Sequence, residues 1–217
     1  MPLSEISRTR VKICGLTCAE DAAAAIALGA DALGFNTWSG SKRCIDLDRE
    51  ASWLAELPPF VTKVALTVNA PIEEAARSAR LPFIDAIQLH GDEDSDYCRR
   101  LMGSERPVIK ALRIREPADL DIVPGHPSRF FLLDAHVPGQ FGGTGVEADL
   151  GLAAAFRSRF PWLALILAGG LRPDNVARAI RAVRPYAVDV SSGVESSPGR
   201  KDFGLMKAFM EAVRGAL

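Results

Sequence analysis

Eight short apolar runs punctuate the chain: Val11–Cys14, Ala32–Phe35, Val61–Val68, Ala86–Leu89, Val108–Leu112, Phe130–Asp134, Leu165–Ala168 and Ala187–Val190. Each is followed by a few polar or glycine-bearing residues and then by a stretch with helical spacing. The runs are continuous rather than alternating, which suits strands of a parallel sheet covered on both faces. Their starts recur every 21 to 35 residues, the length of one strand plus one covering helix. The helical stretches carry their own signals. Thr17-Cys18-Ala19-Glu20 has the spacing of a capping box ahead of an alanine-rich run that stops at Gly29. Pro71 suits a first helical position, and Met206, Phe209, Met210 and Val213 share one face of a last helix. After the fifth run, "EPADLDIVPGHP" leaves room for only a short helix.

Eight similar units without a linker or composition shift predict a single (β/α)8 barrel of the TIM type over residues 1–217, with 1–10 as a frayed extension. A doubly wound open sheet is the rival, disfavoured because no G-x-G-x-x-G turn follows the first strand. Composition narrows the partners. A formal net charge of -1 with scattered Lys and Arg excludes the basic field that nucleic acid or an acidic membrane requires. No run approaches the ~18 apolar residues of a membrane helix, and no secretory h-region is visible, so a cytoplasmic protein is expected. The four cysteines, Cys14, Cys18, Cys44 and Cys98, form no C-x-x-C pair, and with three histidines the chain offers no zinc pattern. Free thiols follow, important only through reactivity. No helix face is unusually apolar, and a monomer is expected.

In such a barrel the chemistry lies where strands end and loops begin. Three glycine- and hydroxyl-rich loops, "FGGTGV", "LAGGLRPDN" and "DVSSGVE", follow the sixth, seventh and eighth runs. Glycines let backbone N–H groups approach an anion, and the loops after strands seven and eight are the usual phosphate site of this fold. Cys14 and Asp134 end the first and sixth runs. Cys14 is either a base, if a neighbouring cation or dipole lowers its pKa, or a small buried hydrophobe. Asp134, ending "FFLLDA", is either an acid whose proton is retained through burial or half of a structural ion pair. Arg43, in "SGSKRC", either forks onto a substrate carboxylate or is solvated.

Taken in order, "KICGLT", "GADALGF", "QLHGDE", "LLDA", "GGTG", "LAGGLRPDNV", "VDVSSGVE" and "PGRKD" resemble the phosphoribosylanthranilate isomerases of tryptophan biosynthesis. The resemblance runs from about Val11 to the last helix. It implies an Amadori rearrangement without any cofactor, with Cys14 as general base and Asp134 as general acid. It further implies that Arg43 holds the anthranilate carboxylate and that Asp189 lies beside the amine and sugar. The ribose 5-phosphate would be held by backbone around Gly143, Thr144, Gly145, Gly169, Gly170, Ser192 and Gly193. The second loop departs from the family pattern, with Lys42 and Cys44 where a proline and an aromatic are usual. Two alternatives stand beside this reading. A histidine-pathway barrel isomerase generally uses an aspartate where Cys14 stands. A non-catalytic sugar-phosphate-binding paralogue would keep the glycine loops but need neither thiol nor carboxyl. Indole-forming barrels would want a lysine at a strand end, and Lys110 lies within its run.

Overall fold

The computed structural model describes residues 8–104, 106–135 and 148–216. Eight parallel strands close into a barrel in sequence order, β1 pairing with both β2 and β8. They are β1 (Arg10–Cys14), β2 (Ala32–Asn36), β3 (Thr62–Thr67), β4 (Ala86–Leu89), β5 (Val108–Ile114), β6 (Phe130–Ala135), β7 (Ala164–Leu167) and β8 (Ala187–Val190). The helices outside are α1 (Ala19–Ala27), α2 (Ala51–Ala55), α3 (Ile72–Arg80), α4 (Ser95–Leu101), α5 (Leu150–Arg159), α6 (Val176–Val183) and α7 (Phe203–Arg214). A 3-10 segment, Pro117–Gly125, stands where the sequence left room for only a short helix. No helix among the described residues is long and apolar enough to cross a membrane.

Period-two alternation is present in every strand but invisible in polarity, because both faces are buried. Val11 and Ile13 join the large core shared with the helices, which includes Ala22, Ala25, Met206 and Phe209. Val64, Ala86, Ile109, Leu132 and Ile166 form a separate cluster inside the barrel. On β1 the other phase points inward and carries Lys12 and Cys14. The predicted face of α7 is buried, Met206, Phe209, Met210 and Val213 included, and Asp202 caps it by accepting from Leu205 N–H at 2.8 Å. Fully burying one such side chain contributes about 1.5–3 kcal/mol.

Several local expectations change. β1 begins at Arg10, within the stretch expected to be frayed, and Arg8 pairs with Asp31 at 2.5 Å. Thr17 does not cap α1. Cys18 is its N-cap residue, without a side-chain capping bond, and Thr17 Oγ1 instead donates to the Gly199 carbonyl at 2.6 Å. Pro71 is the N-cap of α3, one position earlier than expected. Gly29 does end α1, with φ +92° that a Cβ would strain. Glu195–Ser197 and Arg200–Lys201 form a small antiparallel hairpin, β9 and β10, that was not foreseen. At the N-terminal mouth of the barrel Phe60 is fully exposed, an apolar feature that a survey of helix faces does not reach.

Candidate active site

Cys14, Arg43, Asp134, Gly169, Gly170, Asp189, Ser192 and Gly193 all line one cavity at the C-terminal mouth of the barrel. They come from five strand ends, those of β1, β2, β6, β7 and β8, and stand together because parallel strands of a closed barrel all end on the same face. Gly143, Thr144 and Gly145 lie outside the described residues. Asn36, Leu66 and His90 complete the floor, and Trp38 packs on the Cys14, Leu66 and Val68 cluster at its rim.

On the β1 side, Lys12 Nζ lies 2.9 Å from Asp189 Oδ1, with both side chains almost wholly buried. Gly34 is the strand partner of Cys14, and a Cβ there would lie 2.7 Å from Cys14 Sγ and 2.9 Å from Lys12 Nζ. The thiol and the ammonium therefore sit side by side only because residue 34 has no side chain. Burial pushes the Cys14 thiol up, Lys12 draws it back and Asp189 opposes Lys12; the balance stays above the ordinary thiol value. The cation that the base reading required is present, yet burial outweighs it. Burial also pushes Lys12 down, but Asp189 and Cys14 more than reverse this and hold it above its ordinary value.

Across the cavity, Asp134 is buried at the end of β6, and its Oδ2 lies 3.1 Å from His90 Nε2. The other ring nitrogen, Nδ1, lies 2.7 Å from Gln88 Nε2. Gln88 is fully buried, and its Oε1 has no hydrogen-bond partner among the described residues. An orphaned acceptor of this kind costs about 1–3 kcal/mol.

Arg43 is not a solvated loop residue. Its Nε and Nη2 fork onto Glu195 Oε1 and Oε2 at 2.8 and 2.6 Å, and its stem passes over Gly15, where a Cβ would lie 2.5 Å from Cδ. Glu195 also accepts from Lys201 Nζ at 2.7 Å. Burial pushes the Glu195 carboxyl up, but Arg43 and Lys201 together carry it below its ordinary value. Burial likewise pushes Lys201 down, and Glu195 restores only part of the loss. Glu195 thus occupies the side-on edge of Arg43, and the Nη1–Nη2 edge is not bonded to any other side chain among the described residues.

On the remaining side, Gly169 and Gly170 have φ of +82° and +59°, and Asn175 braces their loop by donating to Gly170 O at 3.0 Å. A Cβ on Gly193 would lie 1.9 Å from Leu171 O, so the loops after β7 and β8 pack backbone against backbone. That close approach leaves no room for a side chain at residue 193.

Sequence reasoning missed Lys12, Gln88, Glu195 and Lys201, and gave His90, within "QLHGDE", no role. A charge inside an apolar strand, in phase with Cys14, was the signal for Lys12. Gln88 and His90 share the same phase in "QLH". Lys110 faces away from the cavity, bonding Glu93 Oε2 and Gly91 O at 2.7 Å each, which removes it from the chemistry.

The model of the family described as N-(5′-phosphoribosyl)anthranilate (PRA) isomerase matches residues 11–212. The chain belongs to that isomerase family. It is 50% identical to the N-(5′-phosphoribosyl)anthranilate isomerase of Chromohalobacter salexigens, covering 97% of this chain and 96% of that one. Among solved isomerases, the Thermotoga maritima structure matches with a TM-score of 0.85 at 39% identity, covering 95% of this chain and 99% of that one. A family structure in complex with reduced 1-(o-carboxyphenylamino)-1-deoxyribulose 5-phosphate matches with a TM-score of 0.83 at 38% identity, with the same coverage.

Proposed function

We propose that the chain is an N-(5′-phosphoribosyl)anthranilate isomerase, converting the aldosylamine to 1-(2-carboxyphenylamino)-1-deoxyribulose 5-phosphate in tryptophan biosynthesis. The observation that carries the reading is the pairing of a thiol and a carboxyl across one cavity, Cys14 on β1 and Asp134 on β6, with the β7 and β8 glycine loops beside them. In this reading Asp134, protonated, gives its proton to the furanose ring oxygen, and the ring opens to an iminium at C1′. The positive charge acidifies the C2′ hydrogen, which the Cys14 thiolate removes to give an enolamine. Tautomerisation then yields the aminodeoxyketose. Lys12 at the back of Cys14 favours the thiolate, and the iminium formed in front adds to that attraction. General acid and general base each contribute about 10²–10⁴-fold.

The anchors at the two ends fix the reacting carbons between them. The free edge of Arg43 takes the anthranilate carboxylate, and backbone around Gly169, Gly170, Ser192 and Gly193 takes the phosphate. The partner is a small sugar phosphate rather than nucleic acid or membrane, and the site of action is the cytoplasm. The test is turnover of freshly generated phosphoribosylanthranilate, followed by loss of its fluorescence. Wild type turns over, and Cys14→Ser and Asp134→Asn each lose at least about 100-fold in kcat. An inert wild type that still binds the ketose product would support a sugar-phosphate-binding barrel instead.

A further inference from the structure

We propose that Gln88 and His90 are positioning residues for Asp134, and that together they keep the acid proton on the carboxyl oxygen that faces the substrate. The two side chains are two positions apart at the end of β4, both directed inward, and with Asp134 they form a continuous buried chain. Gln88 Nε2 meets His90 Nδ1 at 2.7 Å, and His90 Nε2 meets Asp134 Oδ2 at 3.1 Å. An amide N–H aimed at Nδ1 makes that nitrogen an acceptor, so the neutral ring carries its proton on Nε2. That N–H donates to Oδ2 in either charge state of Asp134. A carboxylic acid whose Oδ2 accepts holds its own proton on Oδ1, ready for the ring oxygen. As the proton leaves, the charge forming on the carboxylate meets a donor already in place.

The opposite amide rotamer would reverse every step. Oε1 would accept a hydrogen bond from Nδ1–H, Nε2 would become the acceptor, and the acid proton would sit on Oδ2, held by His90 away from the substrate. The stranded Oε1 is the mark of the productive arrangement. An oxygen without a donor among the described residues is a cost that filling space does not require, since methionine or leucine would fill the same volume without it.

The inference rests on Asp134 being the acid, and two readouts separate the two claims. In protein labelled with ¹⁵N-histidine, two-bond proton–nitrogen correlations report the tautomer of each of the three histidines; His90→Asn identifies the His90 signals. Wild-type His90 is expected to carry its proton on Nε2. Gln88→Glu, an acceptor of the same shape, is expected to draw a proton to Nδ1 and lower kcat about 100-fold or more, with KM little changed. Gln88→Met removes both the grip and the stranded oxygen. It is expected to melt at or above the wild-type temperature while losing about tenfold or more in kcat. A wild-type proton on Nδ1, or wild-type kcat in both Gln88 variants, overturns the proposal. If Asp134→Asn itself keeps wild-type turnover, the acid assignment has failed; if it is inactive while both Gln88 variants are unimpaired, only the positioning has failed.

Discussion

Cys14 and Lys12 lie two positions apart on β1, so both point into the barrel, and Gly34 leaves the space in which they meet. Burial disfavours the thiolate in the folded protein, and Lys12 limits how far. Alkylation of Cys14 by iodoacetamide is therefore expected to rise with pH to a midpoint above the ~8.5 of a free cysteine. Lys12→Met removes the larger of the two lysine influences that favour the thiolate, Lys201 being the smaller, so its midpoint moves further up; a midpoint unchanged or lowered would mean that Lys12 does not act on the thiol. The same substitution leaves Asp189 buried without its partner and is expected to cost about 3–5 kcal/mol in denaturant melts. Asp189→Asn in the Lys12→Met background recovers part of that loss, because no uncompensated charge then remains. How much of this was legible depends on the residue. Cys14 and Asp134 could be read because each ends an apolar run. Lys12 was hidden because a strand buried on both faces shows no alternation to say which side chains share the barrel interior.

At the scale of elements, the apolar runs located all eight strands, and the differences have local causes. β5 continues to Ile114, beyond the run ending at Leu112, because Arg113 pairs with Asp92 at the barrel mouth and so belongs in the strand despite its charge. β9 and β10 were illegible, since strands of three and two residues carry no period. Their contribution is nevertheless specific: the hairpin presents Glu195 and Lys201 to the loop that carries Arg43. The fork is held before substrate arrives, and binding has less side-chain entropy to remove. Arg43→Lys keeps the charge but cannot hold Glu195 and a ligand carboxylate on two edges at once. It is expected to raise KM about tenfold or more with a smaller change in kcat, the pattern of lost uniform binding, in steady-state assays. Glu195→Gln is expected to raise KM in the same direction and to lower the melting temperature, because Lys201 then lies buried beside a neutral amide.

For the whole molecule, acid sensitivity has an identifiable contributor far from the catalytic cavity. His126 follows the 3-10 segment, packs edge-on against Phe131 and accepts from Ser128 N–H at 3.2 Å. Burial, with Lys110 and Arg99 nearby, pushes its pKa down to about 4. The folded protein thus refuses a proton that the unfolded chain accepts below about 6.5. Stability from this group is complete above that pH and is lost progressively down to about 4. Thermal melts across this range should show a decline for wild type that is shallower in His126→Asn, and equal slopes would remove His126 as the cause. Lys12 and Asp189 are direct partners across the β1–β8 seam where the barrel closes, and they stand 177 positions apart in the chain. If β8 slid by one residue against β1, Asp189 would turn out among the helices and the ammonium would be left alone in the dry interior. The couple beneath the thiol therefore acts as a registration mark, and a wrongly closed cylinder is penalised at the spot where it would also have been inert.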